Sequence, residues 1–159
     1  MKVAVVGDGV NGEVYAAERG HRAFLASDAD RPPLRVRDAA IIALDLGGKP
    51  PYSDSTEAVG RLHARLVSDG RYHIRMLGTT LPLGRLASGA FAAALMAPSS
   101  YPVDPLHCAA GCALAEAAGA LVSDERGNPW TMQSAGFVAA ATPELHAFLV
   151  AMMKDCFGS

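Results

Sequence analysis

Asp104 and His107 stand three residues apart where an apolar helix begins, with Pro105 between them. Proline suits the first turn of a helix and aspartate the position that caps it. Residues three apart on a helix share a side, so both side chains can open on one mouth. Histidine exchanges a proton near neutral pH and a carboxylate can orient it, which makes the pair a candidate acid–base couple. The plainer reading is a helix cap beside a half-buried histidine. Gly78-Thr79-Thr80 marks a second strand-to-helix junction, where backbone amides and two hydroxyls suit an anionic or hydroxyl-rich ligand. Capping by Thr79 is the plainer alternative there. Arg75, on the strand before it, brings either a cation to the same cleft or a surface ion pair, and Tyr101 lies with Ser99 and Ser100 in the loop leading to Asp104. The expected site is therefore Asp104 and His107 for proton transfer, with Arg75, Gly78, Thr79, Thr80 and Tyr101 for binding. No metal or other cofactor is expected: His21, His63, His73 and His146 share no ligand spacing, which argues against zinc. Cys108 adjoins His107, but neighbouring helix residues point in different directions and Cys108 reads as core.

The elements that must position these residues follow from the pattern. Residues 3–6 are a β-branched run closed by Gly7-Asp8-Gly9, and residues 13–17 and 23–25 complete an antiparallel meander. The glycines at 7, 9 and 12 have the look of a nucleotide loop, yet no helical pattern follows, which that fingerprint requires. A proline-rich loop, 27–33, leads to an extended segment at 34–37 and the apolar run 41–46. From Ser53 the period changes. Ala58, Leu62, Leu66 and Val67 recur at helical spacing as far as Gly70, with Ser53 or Ser55 as cap. There follow a strand at 72–77, a helix through Leu83, Leu86 and Ala90, a strand at 92–96 and a helix at 105–118. A strand at 121–123, a turn at 125–129, a strand at 137–141 and a helix capped by Thr142 complete the chain. This order predicts an α/β (α+β) fold, an antiparallel meander continuing into a parallel or mixed strand–helix layer. Residues 1–159 read as one domain, with the meander in the first 50.

Composition narrows the function. Half the 159 residues are apolar and 19% are charged, enough for one domain with a core. Fourteen basic and 16 acidic residues leave a formal charge of −2, which argues against binding nucleic acid through many lysines and arginines. The longest apolar stretches fall short of the ~20 residues that a helical membrane span needs, and the N-terminus MKVAVVGDG reads as a strand and not a signal peptide. Three cysteines, two of them four apart, read as free buried thiols, which points to a reducing, cytoplasmic setting.

Several segments together resemble a known family. Asp104 opening a helix, Glu116-Ala117-Ala118-Gly119-Ala120-Leu121-Val122-Ser123-Asp124, and Gly127-Asn128-Pro129 are similar to the C-terminal signature of the inositol monophosphatase superfamily. Arg75-Met76-Leu77-Gly78-Thr79-Thr80 resembles its Arg-Ser-x-Gly-(Ser/Thr)-Ala segment. Gly12-Glu13-Val14-Tyr15 through Ala23-Phe24 resembles the hairpin before it. The match is collinear over nearly the whole chain. It implies the C-terminal half of that fold, with Asp104 in the active-site cleft. The family's metal centre uses an upstream Glu and an Asp-Pro-x-Asp-Gly-Thr motif, which these 159 residues lack; Asp28-Ala29-Asp30 has no Gly-Thr after it. The Trp that precedes the capping Asp in the family is Val103 here, and residues 92–96 carry no acidic residue for substrate hydroxyls.

Magnesium takes near-octahedral oxygen ligation, usually with one or two carboxylates beside the substrate phosphate. Two-metal phosphoryl transfer needs bridging carboxylates. Asp104 cannot meet that demand unaided. The expectation is thus a repurposed protein that binds or converts a small molecule in the old cleft without metal. A magnesium phosphatase completed by a separate polypeptide is the alternative, and a non-catalytic interaction module a second. A sheet face exposed by the absent half also predicts a homodimer, with residues 3–6, 13–17 and 41–46 in its interface.

Overall fold

A computed structural model describes residues 1–45, 53–78, 80–98 and 106–158. β1 (Val3–Asp8), β2 (Glu13–Glu18) and β3 (Phe24–Leu25) form an antiparallel sheet in that order, with Val3 opposite Glu18 and Asp8 opposite Glu13. The hairpin between β1 and β2 is set by Asp8, whose carboxylate accepts the Val10 and Asn11 N–H groups at 3.0 and 3.2 Å. β4 (Ile41–Asp45), β5 (His73–Met76), β6 (Ala93–Met96), β7 (Leu121–Ser123) and β8 (Phe137–Ala140) form a second sheet of order β5-β4-β6-β8-β7. In it β4 runs parallel to β5 and β6, while β8 is antiparallel to β6 and β7. The helices are α1 (Ser53–Asp69), α2 (Thr80–Ala87), α3 (Leu106–Ala117) and α4 (Pro143–Phe157).

Alternation along the strands builds the layers. Ile42, Leu44, Ala93, Leu95, Val138 and Ala140 face α1 and α4, where they meet Leu62, Leu66, Leu145 and Leu149. Their neighbours Ala43, Ala94, Met96, Phe137 and Ala139 face the other way, onto Leu83, Leu86, Cys108 and Cys112 of α2 and α3. The far side of that helix pair packs on Ala4, Val6, Tyr15 and Ala17. The layers are sheet, helix pair, sheet, helix pair. Glycine lets them approach closely: a Cβ on Gly111 of α3 would stand 2.8 Å from the Cβ of Leu83, and one on Gly84 of α2 2.8 Å from the Tyr15 ring. Thr142 caps α4 by accepting the Leu145 N–H at 3.2 Å, with Pro143 in the first turn, as its sequence requires.

The α/β class, the antiparallel meander and the alternating elements agree with the sequence reading. Four details differ. The meander does not continue into the second sheet, because α2 and α3 separate the two. Residues 34–37 form no ladder: the Leu34 N–H goes to the Ala23 carbonyl at 2.8 Å and the Val36 N–H to the Ala118 carbonyl at 3.2 Å, past α3. α2 stops at Ala87, before the expected Ala90, where Gly89 takes a left-handed φ of +80° and the Ser88 hydroxyl bonds the Arg85 carbonyl. β4 also lies inside the second sheet, with Ile42, Ala43 and Leu44 buried, so it presents no face to a partner.

Candidate active site

Because β4, β5 and β6 are parallel, their C-terminal ends at Asp45, Met76 and Met96 lie at one edge of the sheet. From that edge the chain runs on to α1, α2 and α3 in turn. The carboxyl ends of parallel strands are where α/β layers bind ligands, and helix N-termini turn their free N–H groups toward the same place. The Thr80 hydroxyl donates to the His107 carbonyl, tying the first residue of α2 to the first turn of α3. Gly78, Thr80 and His107 are thereby assembled at this mouth, and His107 is exposed. Thr79, Tyr101 and Asp104 lie outside the described residues, as do Ser99 and Ser100. Arg75 is exposed, and its guanidinium turns back to donate to the Ile74 carbonyl at 3.1 Å.

An apolar cavity of about 250 Å³ opens beside the mouth, lined by Leu77, Gly78, Leu81, Pro82, Arg85 and Phe91. Arg85 closes it with a charge that is already engaged. Its guanidinium bonds the buried Asp8 carboxylate and, at 2.7 Å, the Glu13 carboxylate. The Tyr15 hydroxyl donates to Glu13 at 2.6 Å, and the Asn11 amide to Asp8 at 2.8 Å. The Asn11 amide is the main reason the Asp8 carboxyl sits below its ordinary pKa. Burial first, then Glu13, pushes the Tyr15 hydroxyl above its own.

Sequence reasoning did not pick out this cluster or Asp45, which ends β4 at the mouth and accepts the Ala97 N–H on its carbonyl at 3.0 Å. The available signals were a lone acid closing an apolar strand and a lone arginine between buried Gly84 and Leu86. It also missed the 2.9 Å contact of His146 Nε2 with the buried Ser123 hydroxyl, where burial lowers the His146 pKa. The three cysteines are buried and form no disulfide, as expected. Cys108 packs 4.0 Å from the Met96 sulfur, and burial pushes the Cys112 thiol up. Among the described residues no group of three His, Cys, Asp or Glu side chains could hold a metal ion, so their donor set does not fit a two-metal centre. Nor is any helix among them long and apolar enough to cross a membrane.

A layered α/β scaffold, with its parallel strand ends gathered at one edge, is the class this geometry defines. The inositol monophosphatase family model matches residues 1–156, and the chain belongs to that family. No curated protein matches the sequence. Among solved structures, Thermotoga maritima IMPase is 21% identical with a TM-score of 0.77, covering 99% of this chain and 57% of its own. Mycobacterium tuberculosis SuhB is 25% identical with a TM-score of 0.72, covering 98% and 59%. SaIMPase-II, solved with inositol monophosphate bound, is 19% identical with a TM-score of 0.73, covering 98% and 59%. The chain thus spans less than two thirds of the length of these relatives.

Proposed function

We propose that this chain binds, and converts by acid–base chemistry, a small hydroxylated or anionic molecule at the mouth formed by β4, β5, β6, α2 and α3, without a magnesium centre. The observation that carries this reading is the bond from the Thr80 hydroxyl to the His107 carbonyl, which ties the start of α2 to the first turn of α3, where His107 is exposed. In this reading His107 moves the proton and Asp104 orients it. Gly78, Thr79 and Thr80 bind the polar groups of the ligand through backbone amides and hydroxyls. Tyr101 and Arg75 complete the pocket. Inositol monophosphate, bound in SaIMPase-II, is a suitable first probe. Among the described residues no three His, Cys, Asp or Glu side chains cluster as metal ligands, which supports the metal-free form.

The test is a binding and hydrolysis series with inositol monophosphate, in EDTA and in magnesium. We expect binding that persists in EDTA and weakens in His107→Ala and Thr80→Val while both variants stay folded. Hydrolysis that requires magnesium and is abolished by EDTA would overturn the metal-free reading. A second reading then stands, a magnesium phosphomonoesterase completed by another polypeptide. It is favoured by the inositol monophosphatase family model, which matches residues 1–156.

A further inference from the structure

With the mouth binding ligands as proposed, we infer that the apolar cavity beside it is its second subsite, and that the preferred ligand joins a phosphate head to one ring-sized apolar group. The six residues that line the cavity all come from 77–91, the stretch that leaves β5, forms α2 and turns into β6. Gly78 belongs to both the cavity and the mouth, so a group held at Gly78 has the cavity next to it. Among the described lining residues, Arg85 alone has a polar side chain, and Pro82, in the first turn of α2, has no N–H to offer. A hydroxyl-rich ring would lose its water there and find few partners, which is unfavourable for each buried hydroxyl. Met76, Leu77 and Leu81, in and beside this lining, are 45%, 43% and 37% exposed. A single exposed apolar side chain is ordinary, but a group of them at the rim of a cavity marks a binding surface.

Size and charge select the occupant. A cavity of about 150 Å³ lined by Leu, Ile and Phe holds benzene. This one, at about 250 Å³, has room for one six-membered ring or a short branched alkyl chain. It is smaller than the roughly 300–1,000 Å³ of a complete small-molecule site, which suits it to one part of a ligand whose remainder lies at the mouth. Arg85 looks like an anchor for the phosphate, yet its guanidinium is bonded to the buried Asp8 carboxylate and, at 2.7 Å, to the Glu13 carboxylate. Two carboxylates against one guanidinium leave a net negative charge, which repels an anion that enters the cavity. The phosphate therefore stays at Gly78 and the helix N-termini, and the apolar group turns inward onto Leu77, Leu81 and Phe91. The ligand class is a ring-bearing phosphate monoester, which a polyol phosphate matches at its head only.

Calorimetric titration of the whole chain in EDTA with methyl phosphate, benzyl phosphate and inositol monophosphate tests this. Benzyl phosphate is expected to bind about tenfold or more tightly than methyl phosphate, because the two differ only by the phenyl ring. The Phe91 amide NMR signal, outside the mouth, is expected to move with benzyl phosphate and not with methyl phosphate, which locates the ring without any substitution. Leu81→Ser, at an exposed position, and Phe91→Ala are each expected to bring the affinity ratio of the two esters down to about three or less, with an unchanged circular dichroism spectrum. Thr80→Val is expected to weaken both esters together and to keep their ratio. Equal affinities of the two esters in the parent overturn the subsite, and the mouth stands if Thr80→Val still weakens both. A benzyl preference that survives Leu81→Ser and Phe91→Ala, with the Phe91 signal unmoved, puts the ring elsewhere and overturns the subsite too. Binding by none of the three probes overturns the mouth and the subsite with it.

Discussion

Replacing Gly111 by alanine tests whether the contact of α2 with α3 fixes the mouth. In an unobstructed helix this change stabilises by about 1 kcal/mol, because glycine is the poorer helix former. Here the new methyl would stand 2.5 Å from Leu83 Cδ1 and 2.8 Å from Leu83 Cβ. Leu83 is fully buried, and its Cβ is fixed to the α2 backbone and cannot swing aside. The two helices must separate. Overpacking of this kind costs about 1–3 kcal/mol, so the net expectation is a loss of up to about 2 kcal/mol. At this chain length each 1 kcal/mol lowers the melting midpoint by roughly 2–4 °C.

Equilibrium urea unfolding gives the free energy, and backbone amide NMR shifts of Thr80 and His107 report whether separation reaches the bond between them. Leu83→Ala sharpens the assay. On its own it opens a cavity at a cost of about 2–5 kcal/mol. In the double variant the methyl added at Gly111 enters part of the vacated space, so the combined loss falls short of the sum by about 1 kcal/mol. A Gly111→Ala protein more stable than the parent, with additive double-variant energies, would refute the close-approach argument.

Two further outcomes depend on pH. His146 has its pKa lowered by burial, so as pH falls below about 6.5 the unfolded chain takes up that proton first. Stability should therefore fall between pH 7.5 and 5.5, and His146→Gln should remove that part of the slope in melting scans. Asp8 has its pKa lowered, chiefly by the Asn11 amide, so its contribution is present above about pH 4 and is lost as pH falls further. Arg85→Met should destabilise the protein at pH 7, and the gap to the parent should close in denaturant titrations below about pH 4. A gap independent of pH would show that Arg85 acts by packing and not through its carboxylate partners.

The contrast between what the sequence disclosed and what it hid has a physical basis. Strands and helices announce themselves within a few residues. The apolar run at Ile41–Asp45, the Thr142-Pro143 cap and the turn at Gly70 each state their element locally. Of the proposed site, Thr80 and His107 lie in helix starts that the sequence marks, with Gly78 in the loop before the first of them. The ion cluster is not so marked. Arg85 and Asp8 are separated by 77 positions and meet because α2 packs across β1, a fact no local pattern carries. The separation of the two sheets was hidden for the same reason, since strand order reveals succession but not which layer lies between. Residues 34–37 misled because their extended chain spends its N–H groups on Ala23 and Ala118 and makes no strand ladder.

α2 joins the mouth to the apolar cavity. Thr80 opens the helix at the mouth, bonded to the His107 carbonyl, and Leu81, Pro82 and Arg85 further along it line the cavity. Two sites so joined couple only if the element between them has two arrangements that both sites bias. α2 is packed on both sides, with Leu83 and Leu86 against the second sheet and Gly84 against the Tyr15 ring, and has no room to slide as a unit. Filling the cavity should therefore leave the mouth unaltered. Methyl phosphate is expected to bind with the same affinity, within about a factor of two, in the presence and absence of saturating toluene. A change of tenfold or more, about 1.4 kcal/mol of coupling, would refute a rigid α2. It would mean that a ring in the cavity reshapes the mouth through that helix.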